Sequence, residues 1–249
     1  MRTIAFLNQK GGVGKTTTTI NVGAGLAKLN KKVLLIDLDP QASLCCSLGI
    51  ESNKLSIYDL LKDESSCEQV IVKKNNLSII PSSMDLSAIE FEFRSKSNKE
   101  FLLKKVISKI TDFDYLLIDC PPSLGLLTIN ALAASNEVYI PVQTEFLALQ
   151  VLGQLLDTLY LVTRKINPAL KLGGIIGTRY NRRRINKDVI DYLNNNFKDK
   201  TFKTVIRENI ALAEAPSFAQ DIYSHNPKSN GAKDYYALCK EILKKEITL

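Results

Sequence analysis

Short apolar runs alternate along this chain with longer stretches whose apolar positions recur every three or four residues. The runs predict strands at 3–8, 33–37, 77–81, 115–119, 138–142, 173–180 and 201–205, and the first periodic stretch predicts a helix over 15–29. Helical segments fall between most of the strands. This alternation predicts an α/β fold, with a mostly parallel twisted sheet covered by helices on both faces and ligands at the carboxyl ends of the strands. The polar interruptions at 64–76 and 94–99 read as surface loops. No internal repeat or linker-like shift in composition divides the chain, so a single domain over 1–249 is expected.

Composition sharpens this picture in three places. With 45% hydrophobic and 24% charged residues, the chain suits a globular domain with a buried core. Apolar runs such as 115–118 fall far short of a membrane span, and the stretch after Met1 and Arg2 is too short for a signal peptide. The cysteines Cys45, Cys46, Cys67, Cys120 and Cys239 are odd in number and form no C-x-x-C pair, which fits reduced thiols and a cytoplasmic location. Charge is lopsided: residues 164–249 carry 17 Lys or Arg against 9 Asp or Glu, whereas residues 1–163 carry 16 against 17. A basic C-terminal part is either a solvated surface or a face for a polyanion.

The chemistry begins directly after the first strand, at Gln9-Lys10-Gly11-Gly12-Val13-Gly14-Lys15-Thr16-Thr17. Glycines let backbone N–H groups turn toward a phosphate, and the following helix N-terminus adds its partial positive charge. Lys15 is placed to reach the β- and γ-phosphates and Thr16 to complete a Mg²⁺ shell. A second strand ends in Asp37-Leu38-Asp39-Pro40-Gln41, and a third in Asp119-Cys120-Pro121-Pro122. Strand-end carboxylates beside a phosphate loop can bind Mg²⁺ or its waters, or orient an attacking water.

The loop lacks the usual first glycine and carries an extra lysine, so it resembles the deviant Walker A motif K-G-G-x-G-K-[ST]. Together with the D-x-D-P-Q element, the strand ending in Asp119, the block 141–149 and the block 206–217, it makes the chain resemble a ParA-type partition ATPase. The form is the short one, without an N-terminal helix-turn-helix. That resemblance implies a P-loop NTPase with ATP and Mg²⁺ as cofactors and slow, partner-stimulated hydrolysis. It also implies an ATP-dependent homodimer that binds double-stranded DNA nonspecifically over the nucleoid, a ParB-type centromere-binding partner, and no membrane.

Residue roles follow from the resemblance. Lys10 crosses to the partner's nucleotide, Asp39 positions the hydrolytic water, and Lys10, Lys15 and Asp39 form the catalytic set. Lys10, Gly11, Gly12, Val13, Gly14, Lys15, Thr16 and Thr17 cradle the nucleotide. Thr16 and Asp119 hold the metal, with Asp37 on the metal side or structural. The resemblance places the base against the strand end at 178–181 and the loop 206–209, where Asn181 is either a polar contact or the start of a turn. For DNA the candidates are Arg179, Arg182, Arg183, Arg184, Lys203, Arg207, Lys233 and Lys240.

Other readings stay open at this point. A MinD-like membrane ATPase would end in a free amphipathic helix, yet the apolar positions of 235–243 look committed to the core. An iron–sulfur reductase needs two placed cysteines, and Cys120 has no evident second. A non-enzymatic nucleotide sensor, or a ParA-like ATPase that positions protein cargo, shares the same motifs. His225, the only histidine, offers no basis for a His metal cluster and reads as a loop residue.

Overall fold

The computed structural model describes residues 1–51 and 55–247. The first half runs β1 (Arg2–Phe6), α1 (Lys15–Lys28), β2 (Val33–Asp37), α2 (Ser43–Ser47), α3 (Ile57–Lys62), α4 (Cys67–Val70), β3 (Val72–Lys74), β4 (Leu77–Ile80), α5 (Ile89–Glu92), α6 (Leu102–Ile107) and β5 (Tyr115–Asp119). The second half adds α7 (Leu126–Ala134), β6 (Glu137–Gln143), α8 (Phe146–Lys165), β7 (Lys171–Thr178), α9 (Arg184–Phe197), α10 (Ile210–Glu214), α11 (Ile222–His225) and α12 (Asn230–Ile247).

The seven strands form one sheet in the order β3-β4-β2-β5-β1-β6-β7, parallel except for the edge pair β3–β4. Because side chains alternate along a strand, the central strands feed two separate cores. Ala5, Leu34, Ile36, Leu116 and Ile118 face the layer that holds α6 through α9. Ile4, Phe6, Leu35, Tyr115 and Leu117 face α1 and α12. The sheet is therefore covered on both sides, as the apolar pattern requires.

Sequence expectations change in several places, three of them over whole elements. The stretch 64–76 contains α4 and the edge strand β3 rather than loop alone, since a strand with Lys73 and Lys74 lacks the apolar alternation that would reveal it. The stretch 201–205 is not a strand; it makes only an isolated bridge, Ile175 to Thr201. Third, α8 is a 20-residue helix containing an 18-residue stretch of mean hydropathy 1.4, long and apolar enough by length and composition to cross a bilayer. The sequence reading missed it because Gln150, Gln154 and Asp157 break its runs. Here Ala148, Leu152, Leu155, Leu159 and Val162 form a buried stripe at alternating four- and three-residue spacing, the signature of a helix packed on a core.

The C-terminal helix α12 buries Ala232, Tyr235, Leu238, Cys239 and Ile242, so that apolar face is committed to the fold. Tyr235 packs as expected, with its hydroxyl 3.0 Å from that of Thr18. His225 ends α11 and stacks on Phe218 instead of lying in a loop.

Candidate functional site

The register of the central strands assembles the site. Phe6 and Asp37 both stand opposite Asp119, which brings the ends of β1, β2 and β5 together at the carboxyl edge of the sheet. The loop after β1 is fixed at its root by Asn8, whose amide donates to the Pro141 carbonyl at 2.7 Å while its oxygen accepts from the Lys10 N–H at 2.9 Å. Gly12 and Gly14 adopt φ of 73° and 89°, a region where a side chain would be strained. That conformation carries the loop into α1, with Gly14 at its N-cap. Val13 is buried and its carbonyl accepts from the Thr178 hydroxyl at 2.9 Å, which ties the loop to β7. Gly11 and Gly12 remain exposed at the rim.

Lys15 is buried in the first turn of α1, and burial lowers its pKa against the opposing pull of Asp119, Cys120 and Asp39. The Thr16 hydroxyl donates to Asp119 at 2.6 Å, and the Thr19 hydroxyl to the other oxygen at 3.3 Å. Burial pushes the Asp119 carboxyl up, and the facing Asp37 pushes it further. Asp37 is completely buried and is also raised by burial. It accepts the N–H groups of Asp39 at 3.2 Å and Cys45 at 3.1 Å, so it fixes the turn between β2 and α2. Asp39 itself stands half-exposed at the rim, accepting from the Gln41 N–H at 3.0 Å.

Two buried, mutually repelling carboxyls next to a hydroxyl would suit a divalent cation, and the neighbouring desolvated ammonium would suit the phosphates that such a cation accompanies. Among the described residues no group of three or more His, Cys, Asp or Glu side chains could hold a metal alone. A cation here would take most of its ligands from phosphate and water, as Mg²⁺ does.

Beside the phosphate loop lies a cavity of about 320 Å³, lined by Gly12, Gly14 and Thr17 on one side and by Thr178, 206–210, Leu212, Ala213 and Tyr235 on the other. Asn181 is not among its lining residues. Its oxygen accepts from the Arg183 N–H at 3.3 Å in the turn into α9, and its amide donates at 3.3 Å to Glu208, which does line the cavity. The sequence had pointed to the 206–209 loop but to none of its side chains, because their approach depends on long-range folding.

Lys10 folds back onto its own chain. Its ammonium lies 3.0 Å from Gln143 Oε1 and 3.1 Å from Glu145 Oε2, and the Gln143 amide donates to Glu145 at 3.0 Å. Of the basic candidates, Arg182, Arg183 and Arg184 are exposed at the N-terminus of α9, whose first turn carries no acidic residue. Lys203, Lys233 and Lys240 are exposed as well. Arg179 pairs loosely with Glu208 at 3.7 Å. Arg207 is different: a two-pronged ion pair with Asp234, at 2.6 and 2.9 Å, neutralises it on the wall of the cavity, so it is a poor DNA contact in this conformation. Cys120 is buried, out of reach of a cluster shared between subunits.

The fold and the glycine loop at its carboxyl edge define a P-loop nucleotide-binding protein, and comparison with known proteins narrows the class. Residues 1–172 match a family model described as an AAA domain. The chain is 43% identical over 249 residues to a chromosome-partitioning ATPase Soj of Treponema pallidum, covering 98% of each. Among solved structures it resembles a putative plasmid partition protein of Borrelia burgdorferi bound to AMPPNP, at a TM-score of 0.83 and 32% identity, covering 98% of this chain and 99% of that one. It also resembles a cobyrinic acid a,c-diamide synthase of Mycobacterium smegmatis with bound ADP and magnesium, at a TM-score of 0.86 and 34% identity, covering 98% and 94%. The chain belongs to the ParA-type partition ATPases.

Proposed function

We propose that the chain is a single-domain ATPase that dimerises with ATP and Mg²⁺, binds double-stranded DNA without sequence preference, and drives plasmid or chromosome partition with a ParB-type partner. The cleft supports ATP as substrate: the loop 10–17 cradles the phosphates, Lys15 neutralises them, and the base enters the cavity bounded by 206–210. Mg²⁺ would be held by Thr16 and, through water, by Asp119, and would supply positive charge to the phosphate oxygens. Asp37 acts by holding the turn that carries Asp39, and Asp39 orients the attacking water. Lys10 leaves its own chain to reach the partner's nucleotide. Next to it, Phe146 and Leu147 are 63% and 65% exposed at the start of α8, which supports a subunit contact on this rim. Relatives that bear the names of partition proteins support the biological role; a cytoplasmic location on the nucleoid and slow hydrolysis stimulated by a partner belong to the same proposal.

One observation carries the DNA assignment. Arg182, Arg183 and Arg184 crowd the N-terminus of α9, where the helix dipole disfavours cations, and Arg182 takes a left-handed φ of 64°. An arrangement that works against stability fits a surface selected for binding phosphate. Replacing all three by alanine should weaken DNA binding equally on unrelated duplexes and flatten its salt dependence, by about 0.9 in slope for each phosphate left unneutralised. ATP affinity should stay near the wild-type value. An unchanged salt slope in filter-binding titrations would remove this face from the account.

A further inference from the structure

The segment 202–208 has the hydrogen-bonding needs of a strand with a sheet on one side only. Toward β7, Phe202 N–H donates to the Ile175 carbonyl at 2.9 Å, Ile206 N–H to Gly177 at 2.8 Å and Glu208 N–H to Tyr180 at 3.0 Å. On the other side, among the described residues, no strand follows. There the N–H groups of Lys203 and Thr204 donate to the two carboxylate oxygens of Glu241 at 2.8 and 3.0 Å. The N–H of Arg207 donates to Asp234 at 3.0 Å, and the Arg207 guanidinium grips the same carboxylate from the side.

Asp234 and Glu241 are seven residues apart on α12, two turns on one face, which spans roughly 10 Å at 1.5 Å per residue. The donors they satisfy are three to four residues apart in an extended segment, which also spans roughly 10–13 Å. The two spacings match, so α12 supplies the acceptors that an eighth strand would have supplied. Backbone donors without a strand partner need such acceptors or water.

This edge is also a wall of the nucleotide cavity, because Ile206, Arg207, Glu208 and Asn209 line it. The same helix reaches the phosphate side through Tyr235, whose hydroxyl meets Thr18 in α1. We infer that Asp234 and Glu241 are positioning residues for the base: they hold the 203–209 wall at the width the base requires, without touching the phosphates. The inference rests on the cavity being the nucleotide site proposed above.

Calorimetry with two probes tests it. Mg²⁺-ATP reads the phosphate loop and the base wall together, and Mg²⁺-tripolyphosphate reads the phosphate loop alone. Asp234→Ala should weaken ATP about ten- to a hundredfold, the scale expected when charged hydrogen bonds are removed, and leave tripolyphosphate affinity unchanged. Glu241→Gln should give a smaller loss of the same kind. Asp234→Asn retains an acceptor for the Arg207 N–H, so it should fall between wild type and alanine, and it carries the test if the alanine variant does not fold. A purely structural role would weaken both probes together, and that result, or ATP affinity equal to wild type in both Asp234 variants, overturns the inference. A wild type that binds ATP no more tightly than tripolyphosphate overturns the nucleotide-cavity reading along with it.

Discussion

The contacts that hold Lys10 on its own chain set what a Lys10→Ala variant should lose. Its ion pair with Glu145 closes at 3.1 Å, but the two side chains are 31% and 52% exposed, so water screens the pair to about 1 kcal/mol or less. The hydrogen bond to Gln143 adds a comparable amount. Releasing the ammonium therefore costs about 1–2 kcal/mol, a factor of roughly five to thirty. A cation delivered across an interface to transferring phosphates is worth about 10³–10⁵ in rate in comparable enzymes. The contact across the dimer outweighs the one within the chain. Lys10→Ala should thus leave stability in urea within about 2 kcal/mol of wild type and ATP binding to the monomer near normal. ATP-induced dimerisation in sedimentation, hydrolysis, or both should disappear, with turnover down about a thousandfold or more. A variant that dimerises and turns over normally would refute the crossing role, and a much larger stability loss would make Lys10 a structural residue.

Lys15→Ala should abolish ATP binding in calorimetry, because this buried lysine is the charge proposed to face the phosphates; retained affinity would argue against the phosphate-loop assignment. Asp39→Ala should keep ATP binding but stop hydrolysis, so that ATP accumulates in a persistent dimer on DNA, and rapid phosphate release by the variant would shift suspicion to Asp37. Asp119 gives a prediction in pH: burial and the facing Asp37 raise its carboxyl to about 8. The folded, metal-free protein then keeps a proton that the unfolded chain loses above about pH 4, so this group lowers stability as pH rises between those values. Asp119→Asn should therefore raise the melting temperature of nucleotide-free protein in chelator by a few degrees at pH 8 and by less toward pH 5, and a lower melting temperature at pH 8 would contradict the buried-charge argument.

How far the sequence carried these conclusions depends on how local each feature is. The loop 10–17 and the strand ends at Asp37 and Asp119 lie within contiguous runs, so motif and apolar pattern located them together. Lys15, Thr16 and Asp119 meet in the fold as their spacing implied. The base wall behaves differently. Its shape depends on Asp234 and Glu241, which lie 27 to 38 residues beyond the backbone groups they hold, and a strand-like composition at 201–205 gave no sign that helix carboxylates would satisfy one edge. Asn181 is a base candidate because the resemblance places the base near the end of β7, but its amide is taken up by the turn at Arg183 on one side and by the Glu208 side chain on the other. Arg207 counts toward the basic surface in sequence, but its carboxylate partner stands on α12, beyond two intervening helices. Short, charged β3 at a sheet edge escapes notice for a related reason, since an edge strand has little apolar surface to bury.

The central claim is that ATP turns this chain into a dimer able to grip DNA, and one comparison tests it most directly: wild-type binding to two unrelated duplexes with Mg²⁺-ATP, with Mg²⁺-ADP and without nucleotide, each titrated with salt. Dimerisation doubles the basic surface, so the account predicts tight binding with ATP alone, equal on both duplexes, falling steeply with salt at about −0.9 per phosphate neutralised. Binding that is the same in all three nucleotide states, insensitive to salt, or selective for one duplex would contradict it.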